Sequence, residues 1–262
     1  LLDLNPDNLR AWTMLGDIML TQNDDQGLAE CLRRLQQAER QDFAMVVLQG
    51  HAALRQRKYS EARTAFDRAL ELNPASAPVL ERHLQLDALL KRADFAEQHV
   101  RRLLSLDPDN AMGNYFLASL QLSRRQLALA ENSLRKSLGQ NRLPMALNDL
   151  GYVLLERKAY VEAEALLREA VDKNPNFPTA WQNLGLVLMH TRRYPAAEQA
   201  LTKAIGMDPD DLSASVNLAQ LCIQKGDAPR ALKIIAGLLD RPNELTVADR
   251  QTLSRLRREI GK

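Results

Sequence analysis

Between residues 112 and 152 the chain gathers side chains suited to gripping another polypeptide: Met112, Tyr115, Phe116, Met145 and Tyr152, with Asn148 and Asp149 among them. Two Tyr, one Phe and two Met form a dense cluster in a sequence that is only 5% aromatic. Protein-binding surfaces concentrate aromatic and Met side chains, so the chemistry expected here is stacking and apolar contact. Asn183 and Asn217 stand 34 residues apart, just before Leu184-Gly185 and Leu218-Ala219, and Asp149 precedes Leu150-Gly151 in the same way. Such amides and carboxylates at a fixed spacing suit polar orientation of a bound chain.

The elements that would position these groups are helices. In Leu147–Arg157 the apolar residues fall at 147, 150, 154 and 155, the rhythm of one helix face. A second run, Tyr160–Val171, places Ala163, Leu166, Leu167, Ala170 and Val171 on one side. The link Arg157-Lys158-Ala159 leaves room only for a tight turn, so the two helices are expected to lie antiparallel. Gly151 and Ala163 are small where the two helices cross. Asn174-Pro175 stops the second helix, because Pro disfavours helical geometry in the residue before it.

One such hairpin cannot bury its apolar residues alone, but stacked copies can. Ala62, Ala96, Ala130, Ala163, Ala197 and Ala231 are separated by 34, 34, 33, 34 and 34 residues. The expected organisation is therefore seven helix pairs over residues 9–243, at about 9–42, 43–76, 77–110, 111–143, 144–177, 178–211 and 212–243. Residues 1–8 read as the tail of a preceding repeat, so the chain is expected to begin inside a repeat and to come from a longer protein. Residues 244–262 read as one capping helix with Leu253, Leu256 and Ile260 inward, Arg250, Arg255, Arg257 and Arg258 outward, and Thr246 and Asp249 at its N-terminal cap.

Trp181-x-x-Leu184-Gly185-x-x-Leu188, followed by Ala197-x-x-x-Leu201, Ala204 and Pro209, resembles the tetratricopeptide repeat signature. The likeness covers essentially the whole chain. It departs at Arg142 in place of Pro, Leu28 in place of a small residue, and His83-Leu84 in place of Leu-Gly. The resemblance implies an all-α solenoid, a right-handed superhelix whose first helices line a concave groove that binds proteins or peptides. It then implies groove positions at Met112, Tyr115, Phe116, Met145, Asn148, Asp149, Tyr152, Asn183 and Asn217. In some members Asn residues at the 183 and 217 register hold the backbone of an extended peptide. The clamp that chaperone-binding members use for a C-terminal carboxylate is not expected, since its cations are missing at Asn148, Tyr152, Asn183, Ser213 and Asn217.

No catalytic constellation is evident, and neither a cofactor nor a metal is expected. His51, His83, His99 and His190 are read as lying in different repeats, with no i, i+4 pair and no HExxH motif. Gly residues sit singly, and Asp and Glu scatter along helix faces. The net charge of +2 gives no case for nucleic acid or membrane binding, and no run of 18 apolar residues exists. Cys31 and Cys222 stand at opposite ends and read as small buried hydrophobes. The expected function is a non-enzymatic scaffold for protein–protein interaction. The alternative is a regulatory or targeting region of a larger protein, such as an enzyme or a bacterial envelope, polysaccharide or secretion assembly lipoprotein. Self-association through the N-terminal face, at Leu1, Leu2 and Leu4, is a further expectation. Nothing in the sequence identifies the compartment.

Overall fold

A computed structural model describes residues 8–37, 42–90, 93–240 and 247–260. Leu1, Leu2, Leu4 and the expected Thr246 cap lie outside the described residues. Among those described, fifteen α-helices and no strands are found. They are α1 (Leu9–Gln22), α2 (Asp25–Gln36), α3 (Phe43–Arg55), α4 (Tyr59–Leu72), α5 (Ala77–Leu89), α6 (Ala93–Leu106), α7 (Ala111–Ser123) and α8 (Leu127–Gln140). There follow α9 (Pro144–Glu156), α10 (Tyr160–Lys173), α11 (Pro178–His190), α12 (Tyr194–Met207), α13 (Leu212–Gln224), α14 (Ala228–Leu239) and α15 (Val247–Ile260). The chain divides into two compact units, Leu1–Leu120 and Gln121–Lys262.

Local chemistry places the helix ends. Asn8, Asp24 and Asp42 cap α1, α2 and α3 by accepting from the backbone N–H of Ala11, Gly27 and Met45. Pro144 and Pro178 open α9 and α11, where a missing N–H costs nothing. Between α9 and α10, Lys158 N donates to Leu155 O at 2.9 Å and Ala159 N to Leu154 O at 2.8 Å, with Lys158 at φ +62°. This is a Schellman turn. Arg57, Arg125, Arg192 and Gly226 take the same left-handed conformation after α3, α7, α11 and α13. At the far end of α10, Asn174 Oδ1 accepts from Asn176 N across Pro175.

Packing follows the recurrent small residues. Ala62, Ala96, Ala130, Ala163, Ala197 and Ala231 are all buried. A Cβ on Gly151 would lie 2.6 Å from Leu167 Cγ, and one on Gly185 would lie 2.7 Å from Leu201 Cγ. In these two pairs glycine lets the helices approach closely without displacing the facing Leu side chain. In unit 1 the cores run through Leu28, Leu35, Met45 and Leu48, and through Phe66, Leu80, Leu84 and Leu103. In unit 2, α15 buries Leu253 and Leu256 against α13 and α14. Its Arg250, Arg255, Arg257 and Arg258 are exposed.

In unit 2 the residue after three of the recurrent alanines, Ala130, Ala163 and Ala197, is a carboxylate that ties one repeat to the next. Glu131 pairs with Arg157, Glu164 with Arg193, and Glu198 with both Lys225 and Arg230. Hydrogen bonds from Lys225 and Arg230 hold the Glu198 carboxyl below the usual range. Arg142, which replaces the expected Pro, forms a two-pronged pair with Glu169. The departure from the repeat pattern is thus used as a staple.

Candidate peptide-binding face and a buried histidine pair

In unit 2 the first helices α9, α11 and α13 pack side by side. On α9, Met145, Asn148, Asp149 and Tyr152 follow an i, i+3, i+4, i+7 spacing and share one face. Met145 is 38% exposed and Tyr152 is 39% exposed, so two large apolar groups remain open on that face. Asn148 and Asn183 are different. They are only 4% and 7% exposed.

Their burial has a direct cause. Asn183 donates Nδ2 to Asn148 Oδ1 at 2.9 Å, and Asn148 donates Nδ2 to Asp149 Oδ1 at 3.0 Å. The two amides spend these groups on each other and on a carboxylate, so both are engaged within the protein. The row instead ends on Asp149, which is partly buried. Desolvation pushes the Asp149 carboxyl up to about 6, against the opposing effect of the Asn148 amide. Asn217, one repeat further on, is half-buried.

Unit 1 holds the remaining expected site residues. Phe116 is 9% exposed and belongs to the core with Leu103 and Val100, so it is not an open stacking platform. Phe116, one position on from Tyr115, sits deeper in the core that both side chains touch. Tyr115 and Met112 are half-buried against the same core, and Tyr115 meets Phe116 edge-on at 5.3 Å. Within this unit the expected aromatic patch is largely packing.

A second polar cluster went unseen in the sequence. His83 and His99 do not lie in different repeats; both belong to the α5–α6 pair, and their rings are 4.3 Å apart. His99 Nδ1 lies 2.8 Å from Asp87 Oδ2, and Arg63 Nη1 lies 3.6 Å from Asp87 Oδ1. His83 Nε2 is 2.9 Å from Asp67 Oδ1, but off the line of a hydrogen bond. Burial, and then the neighbouring His99, hold His83 below the usual imidazole range. The signal was present as the His83-Leu84 departure from the repeat. It was missed because His83 and His99 are 16 residues apart, which no helical spacing rule links.

Family models described as tetratricopeptide repeat match residues 47–76, 115–178, 162–211 and 188–245. No curated protein matches the sequence. Among solved structures, a chain of the APC/C hetero-tetramer Cut9–Hcn1 is similar at TM-score 0.73 and 20% identity, over 97% of this chain and 50% of that one. This chain therefore spans about half the length of that relative. YrrB, a repeat protein with an unusual peptide-binding site, is similar at TM-score 0.57 and 20% identity, over 74% of this chain and 98% of that one. PilW, a type IV pilus biogenesis factor, is similar at TM-score 0.63 and 19% identity, over 80% of this chain and 98% of that one. At these identities the likeness is one of fold.

Proposed function

The chain belongs to the tetratricopeptide repeat family, and from that premise we propose that its α9–α11 face holds an extended segment of a partner protein. Repeat solenoids of this family generally serve as interaction scaffolds, offering extended surfaces built from successive units. The observation that carries the finer reading is the row Asn183–Asn148–Asp149 beside the open side chains of Met145 and Tyr152. The two amides fix the carboxylate, and among the described residues no cation offsets its desolvation. A partner that brings a backbone N–H or a basic side chain to Asp149, and an apolar side chain to Tyr152 and Met145, fits both needs. A peptide-binding site in the similarly folded YrrB is consistent with such an occupant. The protein acts by binding, without a reaction of its own.

The test is a selection of extended peptides from a random library on the intact chain, followed by titration of the selected peptides against variants. Tyr152→Ala and Asp149→Asn should each weaken binding about tenfold or more, as expected for interface anchors. Selected peptides that bind both variants as tightly as the parent would sink this reading.

A further inference from the structure

We infer that His83, Asp87 and His99 form a binding site for one first-row divalent metal ion, with Zn²⁺ the best match. One ligand atom from each of the three residues lies within 4.8 Å of the others. Two imidazoles and one carboxylate are a donor set that zinc accepts, with a water completing four-coordination.

The register of the repeat makes this cluster anomalous. Shifted by 67 residues, His83, Asp87 and His99 coincide with Leu150, Leu154 and Leu166 of the 144–177 repeat. One repeat further they coincide with Leu184, Leu188 and Ala200. In the adjacent repeat the same positions hold Leu117, Gln121 and Ser133, so polar residues recur at two of them, but only in the 77–110 repeat are all three residues metal-ligating. His83 and Asp87 are almost wholly enclosed, at 0% and 1% exposure. Burying such groups without full hydrogen bonding is unfavourable. Yet His83 Nδ1 and Asp87 Oδ1 have no hydrogen-bond partner. Three metal-ligating side chains brought together at buried, facing positions with polar atoms left unsatisfied are the pattern expected of a functional site.

The surroundings supply an outer shell. Arg63 lies against Asp87 Oδ1, the oxygen turned from His99, and so orients Oδ2 towards the imidazoles. Asp67 sits beside His83 Nε2 and would fix that ring's tautomer once a small turn of the ring brings the two into line, as outer carboxylates do for metal-bound His. Asp67 is also half-exposed and lines an open cleft of about 890 Å³ between α2, α3 and α4. Tetrahedral Zn²⁺ with bonds of about 2.0–2.1 Å sets its ligand atoms about 3.3–3.5 Å apart. The 2.8 Å gap between His99 Nδ1 and Asp87 Oδ2 must then open by about half an ångström, and the wider separations must close.

The full chain, stripped with a chelator and dialysed, is titrated with Zn²⁺ and separately with Co²⁺, reading heat, melting temperature and the visible Co²⁺ spectrum. One saturating equivalent is expected, with a raised melting temperature and a ligand-field band typical of low coordination. Asp67→Asn should lower affinity about 10–100-fold, His99→Ala should abolish stoichiometric binding, and His190→Ala, at an exposed histidine elsewhere, should leave it unchanged. His99 is the least enclosed of the three, so helicity by circular dichroism separates loss of ligand from loss of fold. No saturable binding, or binding that survives in folded His99→Ala, overturns the inference.

Discussion

Asn183 of α11 donates its side-chain amide to Asn148 Oδ1 of α9 at 2.9 Å, joining two neighbouring first helices through residues 35 apart in sequence. Because Asn148 passes a second hydrogen bond to Asp149, the three side chains act as one row. Asn148→Ala removes the partner of both neighbours at once. It should destabilise the chain by about 1–3 kcal/mol, the cost of leaving a buried polar group unpaired. In a double-mutant cycle with Asn183→Ala, urea unfolding should show clear non-additivity. Additive losses would show that the bond carries no energy.

Asp149 predicts a specific pH dependence. Its carboxyl is raised from 3.8 to about 6 in the folded chain. Between those values the folded state keeps a proton that the unfolded state releases, so this group's contribution favours folding at low pH and is lost as pH rises through about 4 to 6. Asp149→Asn should therefore be more stable than the parent above pH 6, by about 2–3 kcal/mol at most, and equal to it near pH 4. Melting temperatures across that range, compared between the two proteins, check both halves. A stabilising substitution that also weakens peptide binding would mark the carboxylate as retained for function.

Tyr152 and Phe116 are both aromatic residues on first helices, yet they should respond differently to truncation. Tyr152→Ala, on an open face, should change stability by no more than about 0.5 kcal/mol. Phe116→Ala, in the core of unit 1, should cost about 3–5 kcal/mol. Denaturant midpoints of the two variants decide it, and equal losses would contradict the difference in burial.

Gly151→Ala pits propensity against packing. Alanine gains about 1 kcal/mol of helix preference over glycine, but its Cβ would sit 2.6 Å from Leu167 Cγ. Net destabilisation of about 1–2 kcal/mol is expected from overpacking. Gly206→Ala, which meets nothing within 4 Å in α12, should instead be stabilising. Reversal of that order in thermal melts would show that the α9–α10 crossing relaxes easily.

Much of this fold was legible in the residues alone. Six alanines at a near-constant spacing define a helix crossing, because only a small side chain lets two backbones approach that closely. All six are buried. The Lys158 turn and the Asn174-Pro175 stop are equally local, since each depends on the conformational limits of a few consecutive residues. Tyr152 and Met145 could be placed on one open face of α9 from helical spacing.

What the sequence by itself determined is periodic: an all-α array of tetratricopeptide helix pairs and their small-residue crossings. Tertiary structure alone decided which polar groups spend their hydrogen bonds on each other. Asn148 finds Asn183 across a helix interface, and His83, Asp87 and His99 meet inside one pair while Phe116 turns into a core. The physical reason is range. Backbone periodicity is set by neighbours within a turn or two, whereas burial and partner choice depend on contacts between helices that no spacing rule encodes.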